Sequence, residues 1–199
     1  DVEETLAQSG LEYRRDEDVA AEAARRVAQG EVVGWFQGGM EFGPRALGNR
    51  SLLADPRTAE TRERINHKVK HREAFRPFGP SVLAEKADEW FHIGRDSDCY
   101  KYMLIACPVR DEKRSQIPAV VHVDGTSRIQ SVYRDMSPKY HRLISLFERE
   151  TGVPLVLNTS FNDSEPIVCT PSDALATFGN TRIDSLIIED FVVERSHPA

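Results

Sequence analysis

Nine Lys/Arg residues fall between positions 45 and 76, against four acids (Asp55, Glu60, Glu63 and Glu73), which leaves the segment at +5 inside a chain whose net charge is −6. A local basic focus in an acidic chain suits a small polyanionic ligand better than a long nucleic acid. Its first part, GGMEFGPRALGNRS (38–51), combines paired glycines, a Gly-Pro and two arginines, Arg45 and Arg50. A glycine-rich turn exposes backbone N–H groups that can cradle an anion, and arginine forks add bidentate phosphate contacts. Further on, Lys68, Lys70 and Arg72 stand near the C-terminal end of a charged helix, with Arg76 just past it on the rigid Pro77 turn. Arg57, Arg62 and Arg64 read as a solvated helix face with salt bridges such as Glu60 to Arg64.

Two polar stretches join them. HVDGTSR (122–128) contains an Asp-Gly turn and Arg128, which opens a strand. LNTSFN (157–162) places Asn158, Thr159, Ser160 and Asn162 after a strand's C-terminal end, where open α/β sheets bind ligands; the plainer reading is a polar loop capping its own backbone. Neither GxxxxGK[ST] nor GxGxxG occurs. His67 and His71 share a helix at i, i+4 without HExxH on an already cationic helix, so no metal site is expected in this chain. Ser-His-Asp catalysis lacks a nucleophile elbow.

These residues need a scaffold. Acids at Asp16–Asp18 precede an alanine-rich helix, Val19–Ala28, that Gly30 can stop. EVVGWFQ (31–37) reads as a buried strand and 51–54 as a short second one. Residues 58–70 have a helical pattern, and the prolines at 77 and 80 end it. SVLAE (81–85) predicts a strand, 86–91 a helical turn and YMLIACPV (102–109) a buried strand. Residues 111–116 read as a polar loop, and VVHVDG (120–125) and RIQSVY (128–133) as two strands about a turn. Ser137-Pro138 opens the clearest helix, stopped by Gly152. PLVLN (154–158) is a central strand, Thr170–Asp173 a capping box for a helix to about 178, and 185–189 and 191–195 are final strands before a frayed end. The expected fold is one α/β domain: a twisted mixed sheet flanked by helices.

Four stretches in order resemble a known signature: EFGPRALGNRSLLADPR (41–57), INHKVKHREAFRPFGPSV (65–82), VDGTSRIQSV (123–132) and LVLNTSFNDSEPIV (155–168). They are similar to the C-terminal, YrdC/Sua5-like domain of antibiotic-biosynthesis and nodulation O-carbamoyltransferases, over roughly residues 15–195. Lys70-x-Arg72 followed by Arg76-Pro77 also resembles the phosphate-binding run of YrdC proteins, with Arg in place of Lys at 76. The resemblance implies a YrdC-like domain at 16–199, preceded at 1–15 by a linker from a Kae1-like N-terminal domain. It implies that carbamoyl phosphate and ATP give carbamoyl-adenylate and pyrophosphate, and that the N-terminal domain, where iron or manganese is expected, transfers the carbamoyl group.

On that analogy Arg45, Lys70 and Arg76 are the expected catalytic residues. Arg50, Arg72, Arg128, Asn158, Ser160 and Asn162 are expected to cradle the nucleotide, with Mg2+ arriving on ATP as substrate. The expected partners are ATP, carbamoyl phosphate and the N-terminal domain, with a homodimer open. Nucleic acid and membrane are not expected partners: no apolar run approaches the roughly 20 residues that span a bilayer. Asp1-Val2-Glu3-Glu4 is unlike a signal peptide, and the chain begins without Met, as a fragment of a longer protein would. Three widely spaced cysteines without CxxC fit a reducing, cytoplasmic setting. The alternatives are a threonylcarbamoyl-adenylate synthase, which the GPRALGNRS and NTSFN stretches do not resemble, a nucleotide-binding module without turnover, and an RNA-binding YrdC-like module.

Overall fold

The computed structural model describes residues 2–94 and 98–195. In chain order the elements are α1 (Val2–Ser9), β1 (Tyr13–Arg15), α2 (Val19–Ala28), β2 (Val33–Phe36), β3 (Arg50–Ala54), α3 (Ala59–Arg64), β4 (Gly79–Leu83) and α4 (Ala87–Trp90). Then follow β5 (Ala106–Pro108), β6 (Thr126–Arg128), β7 (Gln130–Val132), α5 (Pro138–Thr151), β8 (Leu155–Ser160), α6 (Pro171–Asn180), β9 (Ser185–Ile188) and β10 (Phe191–Glu194). Eight strands form one sheet in the order β1-β10-β9-β2-β3-β8-β4-β7, while β5 and β6 make a separate ribbon. The sheet is mixed: β2 runs parallel to β9 and β4 to β7, and the other neighbours are antiparallel. Strands β2, β3, β4 and β9 are buried at every position, so both faces are covered. This is the mixed α/β architecture expected from the sequence.

Local chemistry explains most boundaries. Asp18 caps α2 by accepting from the N–H of Ala21, and Thr170 and Asp173 form the expected capping box at α6. Pro138 occupies the first turn of α5, and Gly152 ends that helix in the left-handed region. α2 packs against α5 and both touch the sheet, while α6 covers β2 and β9.

Several expectations meet a different outcome or none. Residues 2–15 fold onto the domain rather than forming a linker: Leu6 of α1 is buried in the core, and β1 pairs with β10 through Tyr13 and Val193. The stretch 102–109 contributes only β5, and Leu104 and Ile105 lie outside the core; an apolar run without alternation does not by itself specify a buried strand. Residues 120–125 are turns, held by His122 N–H to the carbonyl of Thr126 and Gly125 N–H to that of His122, so RIQSVY is divided between β6, which Arg128 ends rather than opens, and β7, instead of pairing back on VVHVDG. The expected frayed end lies largely outside the described residues.

Candidate functional site

The glycine-rich stretch after β2 is closed from within by one carboxylate. Glu41 accepts from the backbone N–H of Leu47 (2.6 Å), Asn49 (2.7 Å) and Arg50 (3.1 Å). Burial pushes its carboxyl up, against those hydrogen bonds and the Arg50 charge. Trp35 Nε1 holds the carbonyl of Gly48 at 2.8 Å, and Asn158 Nδ2 holds that of Ala46 at 3.0 Å. Arg45 is thereby carried on a loop tied at both flanks.

The second contributor is the end of the charged helix. After Arg64 it widens into a π-helical turn, Ile65–Val69, a distortion common at functional sites. The turn buries Asn66, whose Nδ2 donates to the carbonyls of Ala74 (3.3 Å) and Arg76 (3.1 Å) and whose Oδ1 accepts from Arg72 Nε (2.8 Å). The Arg72 guanidinium also lies 4.8 Å over the Phe78 ring. Asn66 thus sets the positions of both Arg72 and Arg76. Nothing in the sequence singles it out, because only the widened turn brings it inside.

Arg45, Arg72, Arg76 and Arg128 line one cavity of about 350 Å³, together with Asn158, Thr159 and Ser160. No carboxylate lies among its described lining residues. Burial lowers the pKa of Arg128, aided by Arg45, and that of Arg72, aided by Arg76. The Nε atoms of Arg45 and Arg128 are buried and make no hydrogen bond within the protein. Like charges facing each other around a polar, desolvated space form a receptor for an anion.

The remaining expected site residues stand elsewhere. Lys70 lies behind the cavity wall: its Nζ donates to the carbonyls of Ser160 (2.5 Å) and Asn162 (2.7 Å), to Asn162 Oδ1 (2.7 Å) and to Ser160 Oγ (3.3 Å). Burial, with Arg72 nearby, pushes it down to about 7. Asn162 itself ties Ser160 Oγ (2.7 Å) to the carbonyl of Glu165 (2.6 Å). Lys70 and Asn162 therefore shape the loop that presents Ser160. Arg50 is not a loop residue but the first of β3. Its guanidinium is buried 3.4 Å over the Phe36 ring and donates to the carbonyls of Gln37 (2.9 Å) and Gly38 (3.0 Å). It holds the base of the Arg45 loop and does not line the cavity; a sequence shows an arginine beside glycines but not which way it turns.

Among the described residues, no group of three or more His, Cys, Asp or Glu could hold a metal, and no helix is long and apolar enough to cross a membrane.

Two solved structures share the fold. The P. abyssi Sua5 complexed with L-threonine superposes with a TM-score of 0.59 at 17% identity, covering 88% of this chain and 48% of that one. Full-length HypF in its phosphate- and nucleotide-bound form gives 0.56 at 16%, over 92% and 22%. The sheet is thus that of YrdC-like domains. Curated relatives are much more alike in sequence. Nodulation protein NolNO of Sinorhizobium fredii is 48% identical over 97% of this chain and 29% of its own length. The 3'-hydroxymethylcephem-O-carbamoyltransferase of Amycolatopsis lactamdurans is 39% identical over 88% and 33%. The chain spans about a third of the length of these relatives. Residues 24–195, which hold all four cavity arginines, match the family model described as carbamoyltransferase C-terminus, and the chain belongs to that family.

Proposed function

We propose that this domain activates a carbamoyl group with ATP, as part of an O-carbamoyltransferase. Carbamoyl phosphate is cleaved by water to carbamate and phosphate. A carbamate oxygen then attacks the α-phosphorus of ATP, the bond to the β-phosphate oxygen breaks, and carbamoyl-adenylate and pyrophosphate result. The observation that carries this reading is a cavity with four arginines and no carboxylate among its described lining residues, two of the arginines keeping a buried, unpartnered Nε. Charge accumulating on phosphoryl oxygens in such a displacement needs fixed cations and in-line placement more than an acid–base pair.

Arg45 and Arg128 face the buried end of the ligand, and Arg72 and Arg76 meet phosphates nearer the mouth, where Arg76 is half-exposed. Ser160, held by Lys70 and Asn162, completes the wall. With no carboxylate among the described lining residues, magnesium would travel on the triphosphate as part of the substrate.

The test is ATP binding by calorimetry, with and without carbamoyl phosphate, on the chain and on Arg45→Ala and Arg128→Ala. Each variant is expected to lose affinity by about 10- to 100-fold, the value of one charge-assisted contact. ATP binding that both variants leave intact would overturn the reading. Pyrophosphate exchange into ATP driven by threonine and bicarbonate, and not by carbamoyl phosphate, would transfer the domain to threonylcarbamoyl-adenylate synthesis.

A further inference from the structure

Among the described residues lining the arginine cavity, three buried polar atoms have no partner in the protein: the Nε donors of Arg45 and Arg128, and one acceptor, Oδ1 of Asn158. The acceptor is out of keeping with a space otherwise built of cations. Asn158 is 2% exposed, and an unpaired buried carbonyl oxygen is costly.

The orientation of this amide is determined by its neighbours. Gln130 Nε2 donates to the carbonyl of Leu47 at 2.7 Å, which turns Gln130 Oε1 inward. That oxygen accepts from Ser81 Oγ at 2.6 Å. Asn158 Nδ2 then meets acceptors on every side: Ala46 O (3.0 Å), Ser81 Oγ (2.9 Å) and Gln130 Oε1 (3.1 Å). Turning the amide over would set its oxygen against the Ala46 and Gln130 oxygens, so Nδ2 stays in the network and Oδ1 is left over. Two donors for phosphoryl oxygens and one acceptor for an N–H are the complement of a small molecule that carries both a phosphate and a primary amide.

We propose that Asn158 Oδ1 accepts a hydrogen bond from the amide N–H of carbamoyl phosphate, and so selects a carbamoyl group over an acyl group without N–H. This rests on the carbamoyl-activation reading above and assigns Asn158 to the small substrate instead of the nucleotide. Acetyl phosphate is the decisive probe, because a methyl replaces the amino group at nearly the same size. A site built around a substrate N–H rejects an analogue lacking it, since the analogue leaves the buried oxygen unpaired.

Calorimetry on the chain compares carbamoyl phosphate, acetyl phosphate and ATP. The parent is expected to prefer carbamoyl over acetyl phosphate by about 10- to 100-fold. Asn158→Leu, close in shape and without the acceptor, should bring that ratio towards one. Asn158→Leu also releases the Ala46 carbonyl and so disturbs Arg45, but that effect weakens ATP and both acyl phosphates alike and by itself leaves the ratio between the acyl phosphates unchanged. Ser81→Ala, which perturbs the network without removing Oδ1, should keep the parental ratio.

Equal affinity of the parent for the two acyl phosphates overturns the proposal even if no variant folds. An unchanged ratio in Asn158→Leu overturns it as well. Should the parent bind neither acyl phosphate nor ATP, the activation reading itself fails and this proposal falls with it, an outcome distinct from binding without selectivity.

Discussion

Lys70 Nζ stands 2.7 Å from both the carbonyl oxygen and Oδ1 of Asn162. A lysine that the sequence presents as a phosphate ligand is thereby a brace for the loop that carries Ser160. Lys70→Met is expected to leave the Ser160 and Asn162 carbonyls without a donor and to cost about 2–4 kcal/mol of stability. Urea unfolding measures the loss, and a variant as stable as the parent would remove the brace.

The same lysine makes a prediction about pH. Burial holds its folded pKa at about 7, below an unfolded value near 10.5. Between those values the unfolded chain carries the extra proton, so stability should rise with pH across that window. Below about 7 both states are protonated and the cost of burying the charge is present in full. Unfolding titrations from about pH 7 to about pH 9 should show the parent gaining on Lys70→Met. Anion affinity should move the other way, falling as Lys70 loses its charge behind the cavity.

Arg45 and Arg128 repel each other, which is one cause of the lowered pKa of Arg128. Arg128→Gln should therefore weaken ATP binding while leaving stability equal to the parent or raising it, as expected where a site stores strain for its ligand. Thermal melts with and without ATP read both quantities. A variant that loses stability and keeps affinity would make Arg128 a structural residue.

Glu41 concentrates three backbone hydrogen bonds on one carboxylate. Glu41→Ala should cost about 2–4 kcal/mol and release the Arg45 loop, with the loss of ATP affinity appearing even where the protein remains folded. Arg50→Lys should act in the same direction, because an ammonium cannot stack on Phe36 and reach the Gln37 and Gly38 carbonyls together. Calorimetry on folded protein at low temperature checks both, and full affinity in either variant would disconnect the loop from binding.

Two glycines test the packing around the site. A Cβ on Gly48, whose φ is +110°, would clash with Cδ1 of the Tyr140 ring, and one on Gly79 would meet the carbonyl of Arg128. Each Gly→Ala change is expected to cost about 1–3 kcal/mol. Gly79→Ala should in addition displace Arg128 and reduce anion binding. Melting curves together with ATP titrations separate the two effects.

Much of this protein is determined locally and is therefore legible in its sequence. The α2, α5 and α6 boundaries follow from Asp18, Pro138, Gly152 and the Thr170–Asp173 box, whose chemistry acts within a turn of the chain. Strands β2, β8, β9 and β10 follow from short apolar runs. Of the residues that the basic focus, the turn at 122–128 and the NTSFN stretch offer for a ligand, Arg45, Arg72, Arg76, Arg128, Asn158 and Ser160 line one cavity.

Direction is what the sequence by itself could not decide. Whether an arginine faces a ligand or its own backbone depends on partners far along the chain: Arg50 meets the Phe36 ring, and Lys70 meets carbonyls some ninety residues away. The same holds for Asn66, which a π-helical turn brings inside, and for the Asn158 amide, which Ser81 of β4 and Gln130 of β7 orient. Short-range propensity specified the elements. Long-range hydrogen bonding between buried groups, which must all be satisfied at once, chose which side chains were left over for a ligand.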